Sequence, residues 1–147
     1  MRFLILLNKK MNKRQSEILK LLKSLPEEES DGIFPAKKGN IESFKKTAQA
    51  KGVPVEVIAE LTDLYTVADS YAFNVILGFY SCIEDVLYEW WNENILWIGQ
   101  RDFNTLRWAN GKYCLGDAGS ISYSKENEYD TLVDLIKGCI KEINNLE

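Results

Sequence analysis

Residues 95–123 read ILWIGQRDFNTLRWANGKYCLGDAGSISY. Within them Leu106-Arg107-Trp108-Ala109 and Lys112-Tyr113-Cys114-Leu115 flank Asn110-Gly111. Asn-Gly between two apolar-rich runs is a strong hairpin signal, because a type I′ turn needs positive φ at both central residues. Ile95 to Ile98 predicts a strand before this hairpin, and Ser120 to Tyr123 a short one after it. The rest of the chain is mostly helical in pattern and needs a sheet to pack on.

Outward toward the N-terminus, Ser81-Cys82-Ile83-Glu84 has the form of a capping box at the start of a helix. Ile83, Val86, Leu87, Trp90 and Trp91 then recur at i, i+3, i+4, i+7 and i+8, leaving Glu84, Asp85, Glu89 and Glu93 largely off that stripe. Val86-Leu87-Tyr88 also fits a strand. Ala72 to Leu77 predicts a strand ending at Gly78, and Asp69-Ser70 a turn before it. Pro54 suits the first turn of a helix over about Val55 to Ala68. That helix buries Val57, Ile58, Leu61, Leu64, Tyr65 and Ala68, with Glu56, Glu60 and Asp63 pointing outward. Asn40 is expected to cap a helix from Ile41 to Lys51, closed by Gly52 in a left-handed conformation. A first helix, from Asn12 or Lys13 to Leu25, carries the stripe Ile18, Leu21, Leu22, Leu25. Pro26 and the acidic run Glu27 to Gly32 end it as a solvated loop. Beyond the central stretch, Ser124 to Glu128 is a polar connection, and a closing helix spans about Tyr129 to Ile143.

Helices first, strands next and a final helix predict a single α+β domain, an antiparallel sheet with helices packed against it. The 147 residues suffice for one core, and 46% hydrophobic against 27% charged content is that of a folded chain. Residues 11–147 form that domain. Residues 1–10 hold five apolar residues in Phe3 to Leu7, too few for a secretory core, and are expected to be an accessory strand or an in-frame leader. No run approaches a membrane span. Cys82, Cys114 and Cys139 lack paired spacing, which points to core residues in a reducing cytoplasm.

The chain has no histidine, which removes the commonest general base and every His-containing metal site. No cofactor motif stands out. Gly116-Asp117-Ala118-Gly119-Ser120 leads into a strand, whereas a phosphate cradle opens a helix. Paired carboxylates exist, for example Asp102 and Asp117 at strand ends, and acid–base work by them would need a cleft between them.

Charge is divided along the chain. Residues 1–51 hold twelve Lys/Arg against six Asp/Glu, and residues 52–147 hold six against sixteen. From Glu56 to Asp102 there are nine acids and one base, Arg101. The basic residues interleave with helix-core leucines while most aromatics lie in the acidic half, a poor pattern for nucleic-acid binding. It suits a basic protein partner better.

The layout resembles the SUKH superfamily, which includes the yeast Smi/Knr cell-wall regulators and many small bacterial proteins. The matching pieces are Gly52-Val53-Pro54, then Glu60 to Asp69 (ELTDLYTVAD), Leu96-Trp97-Ile98-Gly99, the hairpin at Asn110-Gly111, and Thr131 to Ile136 in the last helix. They span about residues 35–143. Where the family has Asn-Gly after its Leu-Tyr helix, this chain has Asp69-Ser70. The resemblance implies a non-catalytic immunity protein without cofactor, which neutralises a toxin such as a nuclease or deaminase by binding it. A regulatory or scaffold adaptor with an endogenous partner is the alternative. The partner-binding residues expected on this reading are Glu84, Asp85, Glu89, Glu93 and Asp102, around an aromatic anchor at Trp90 or Trp91. The ordinary role of such rings is core packing.

Overall fold

The computed structural model describes residues 11–117 and 123–145. Helix α1 (Lys13–Lys23) starts on a reciprocal cap. Asn12 accepts from the Gln15 backbone N–H at 2.8 Å, and the Gln15 side chain accepts from the Asn12 N–H at 3.0 Å. Helix α2 (Lys38–Ala50) begins earlier than its sequence pattern predicts. Asn40 is not its cap: Lys37 is, in an extended conformation, and the N–H groups of Asn40 and Ile41 both reach the Lys37 carbonyl. Gly52 follows at φ +85°, as expected. Pro54 then opens α3 (Val55–Val67).

Six strands follow: β1 (Ala72–Phe73), β2 (Leu77–Phe79), β3 (Ile95–Arg101), β4 (Asn104–Ala109), β5 (Lys112–Asp117) and β6 (Tyr123–Tyr129). They form one antiparallel sheet in sequential order, and α4 (Leu132–Asn145) follows β6. The Asn110-Gly111 turn is as predicted, with φ of +54° and +83° and Ala109 opposite Lys112.

Further elements depart from their sequence patterns. The strand over Ala72 to Leu77 is two short strands, because Asn74 adopts φ +55° and its N–H turns to the Glu29 carbonyl. The polar residues Ser124 to Glu128 are strand, not connection. As an edge strand β6 is held by backbone pairing to β5 and needs no apolar face of its own. That pairing also takes Tyr129 out of the last helix. Residues 120–122 of the strand predicted over Ser120 to Tyr123, and residues 1–10, lie outside the described residues.

One face of the sheet carries the main core. Leu96, Ile98, Leu106, Tyr113 and Leu115 meet Ile18 and Leu22 of α1, Phe44 and Ala48 of α2, Leu61, Leu64 and Tyr65 of α3, and Leu135, Ile136 and Ile140 of α4. These side chains are essentially removed from water, the largest favourable contribution to folding. A smaller cluster lies on the other face, where Ile95, Ala109 and Cys114 pack under Trp90. Strands β2 and β3 approach closely at Gly99, where a Cβ would sit 2.1 Å from the Gly78 carbonyl oxygen. That contact explains why Trp97-Ile98 is followed by glycine.

Candidate functional site

Residues 80–94 join β2 to β3, and they are not a helix. Asp69 accepts the Ser81 hydroxyl and the Cys82 N–H, both at 2.9 Å. Ser81 is thereby drawn off the capping position, and the segment collapses into two short 3-10 turns, Asp85–Tyr88 and Trp91–Glu93. Asn94 ends it at φ +62°. Of the predicted apolar stripe, Leu87 is buried, while Ile83 is 58% exposed.

This loop straddles the Ile95 end of the sheet. Trp90 lies on the outer face, stacked on Trp97 with ring centroids 4.4 Å apart and planes 4° from parallel. The Arg107 guanidinium sits 4.5 Å from the Trp90 centroid, and Tyr80 meets Trp97 edge-on at 5.7 Å. Trp91 turns the opposite way. Its indole N–H donates to the Lys51 carbonyl at 2.9 Å, and its ring tilts against Trp108. Both tryptophans are half-buried. Each is fixed by protein contacts, and together they clamp the loop to both faces.

The acids on that clamped loop point to water. Glu84, Asp85, Glu89 and Glu93 are all exposed, and none enters an ion pair among the described residues. The Tyr80 phenol is pushed above its ordinary pKa by burial and, secondarily, by Glu84. Asp102 does not join them. It occupies the β3–β4 turn at φ +54°, at the opposite end of β3 and about 20 Å away at the usual rise per strand residue. Its carboxylate lies 4.0 Å from the Arg101 guanidinium. Asp117, at the end of β5, pairs through its backbone with Asn104 at that same far end.

Several charged residues have roles that sequence periodicity does not reveal. Arg107 is fully buried on the outer sheet face, where its Nε donates to Thr105 Oγ1 at 2.6 Å. Gly116 leaves the room for it, since a Cβ there would lie 2.5 Å from the guanidinium carbon. Glu60 and Asp63, expected to face solvent, are instead joints between helices. Asp63 accepts from Asn12 Nδ2, Arg14 Nη1 and Gln15 Nε2 at 3.1, 2.8 and 2.9 Å. Glu60 accepts the Tyr113 hydroxyl at 2.9 Å and the Leu132 N–H at 3.0 Å, tying α3 to β5 and to the first turn of α4. Burial, and then Glu60, hold the Tyr113 phenol far above its usual pKa. A cleft of about 560 Å³ opens beside these joints, lined by Arg14, Glu17, Asp134 and Lys137 among others. Glu60 and Asp63, which also line it, already serve the fold.

The three cysteines are free and buried, as expected of core residues. Burial pushes the thiols up, to about 12 for Cys82 and Cys139 and about 11 for Cys114. Asp69 adds to the effect at Cys82. Thiols so protonated are poor nucleophiles. Among the described residues no helix is long and apolar enough to cross a membrane, and no three side chains of Cys, Asp or Glu gather as a metal site would require. Compared with known proteins, the chain matches no family model, no curated protein and no solved structure.

Proposed function

We propose that this chain is a non-catalytic, cytoplasmic protein-binding domain of the SUKH kind, acting as an immunity protein that neutralises a basic toxin, such as a nuclease, by direct binding. The observation that carries this reading is the loop of residues 80–94. It presents four exposed acids without ion-pair partners among the described residues, on a backing of packed aromatic rings. A pre-ordered surface loses little conformational entropy on binding, and unpaired surface charge of one sign speeds encounter with an opposite partner. Asp102 lies outside this surface, so the binding set reduces to Glu84, Asp85, Glu89 and Glu93 around the Trp90 and Trp91 backing.

The test is affinity capture with the tagged chain from its native cell, eluted stepwise in salt and read by mass spectrometry. A basic toxin released only at high salt, and lost with Glu89→Lys/Glu93→Lys, is the expected result. Recovery of endogenous regulators whose retention ignores both salt and charge reversal would replace immunity with the adaptor function.

A further inference from the structure

At the end of the sheet remote from the acidic loop, two neighbouring turns carry the most exposed large apolar side chains among the described residues. They are Val75, 90% exposed, and Phe103, 87% exposed. The turns form one surface: the Asp102 N–H donates to the Ile76 carbonyl at 2.8 Å, and Leu77 pairs with Arg101 just inside both. Neither side chain serves the turn that holds it. A two-residue hairpin loop is best met by asparagine and glycine, as at Asn110-Gly111. Here Asp102 takes the left-handed position and Phe103 projects into water. Neither turn needs an apolar residue at 75 or 103, so both side chains are free to serve as contact groups.

The rim of this surface is acidic. Asn74 donates its N–H to the Glu29 carbonyl at 2.7 Å, Asp31 donates to the Ala72 carbonyl at 2.9 Å, and Ser30 forms an isolated bridge with Phe73. These bonds hold the run from Glu27 to Asp31 along β1, beside the turns. Glu27, Glu28, Glu29, Asp31 and Asp102 are all exposed. The first four enter no ion pair among the described residues, and Asp102 faces only Arg101, which is held closer by Glu142 at 2.6 Å.

We propose that this end of the sheet is a second docking surface, for a Lys/Arg-rich segment of another protein that carries a bulky apolar side chain. Val75 and Phe103 supply the apolar anchor, and the acids from Glu27 to Asp31 with Asp102 supply the complementary charge. The same acids oppose nucleic-acid phosphates and anionic bilayers. The surface lies a full strand length from the Glu84–Glu93 loop and does not depend on it.

The experiment is a two-dimensional amide NMR titration of the full chain with three probes. These are a short Lys/Arg-rich synthetic peptide bearing Phe and Leu, the same peptide with Ala at those positions, and phosphatidylcholine vesicles. The expected result is shifts concentrated at residues 27–31, 74–76 and 102–104 with the first peptide. The Ala peptide, and a Val75→Ser/Phe103→Ser variant of unchanged unfolding midpoint, should each bind about tenfold more weakly or worse. Unaltered affinity of that variant, or absence of binding, would overturn the proposal. So would shifts confined to residues 84–93, a result that leaves the first surface standing. Binding to the vesicles instead of the peptides would make this end a membrane contact, and self-association lost in the variant would make it a homodimer face; either refutes the proposal.

Discussion

Asp63 gathers an asparagine, an arginine and a glutamine from the first turn of α1 onto one carboxylate. Removing it with Asp63→Ala strands these donors at the α1–α3 seam. The variant should lose about 2 kcal/mol in urea unfolding, within the range of hydrogen bonds to a charged group. Asn12, by contrast, does double duty as helix cap and as one of those donors. At this scale some local signals are legible: Gly52 after a helix and Asn110-Gly111 between two runs. Each depends on chain neighbours alone. The inward turn of Glu60 and Asp63 was not legible, because a helical period assigns charge to the solvent side unless the facing element is known. Here those elements are α1, β5 and α4, brought in from 48 to 72 residues away. Arg107 is missed for the same reason. Alternation along β4 places it on the face away from Leu106 and Trp108, where the loop carrying Trp90 packs over it.

The loop of residues 80–94 shows how one pattern can satisfy two elements. Its apolar spacing fits a helix, and its Ser-x-x-Glu opening fits a cap. Asp69, twelve residues before Ser81, takes the serine hydroxyl and the next N–H and decides otherwise. The consequence for stability is separable from that for binding. Trp90→Ala removes a stacked ring and uncovers Arg107, and a loss of about 2–3 kcal/mol is expected in urea unfolding, toward the lower end for large core truncations because Trp90 is only half-buried. Glu89→Lys/Glu93→Lys changes only exposed side chains and should shift stability by less than about 0.5 kcal/mol. The same variant should slow association with a basic partner about tenfold at low salt and flatten its salt dependence, as measured by stopped-flow. Equal rates for variant and parent would take these acids out of the interface.

Across the whole molecule, alkali is the expected weakness. The thiols of Cys82, Cys114 and Cys139 have ordinary values of 9.0 and are raised by burial to about 12, 11 and 12. Above pH 9 the unfolded chain therefore releases protons that the folded chain keeps. Stability attached to these groups is complete below pH 9 and falls as pH climbs toward the folded values. Urea midpoints measured from pH 7 to 11 should be flat at first and decline from about pH 9; a rise over that interval would contradict the burial. At this scale the α+β class and the helices packed on one sheet followed from the order of patterns in the chain. The number of strands did not, because Asn74 at φ +55° splits the first predicted strand in two; nor did the extent of β6, since an edge strand built on backbone pairing leaves little mark in side-chain hydropathy.

The sheet order β1-β2-β3-β4-β5-β6 also bears on how the molecule is made. As synthesis proceeds, every strand after the first emerges beside a neighbour already in place, so the meander can grow one hairpin at a time. Helix α4 is made after all six strands and seats against α1, which is made before them. A nascent chain arrested before Leu132 should hold its strands yet leave the part of the core that α4 covers open to solvent. A protease pulse during translation would find that half-roofed intermediate and spare the finished domain.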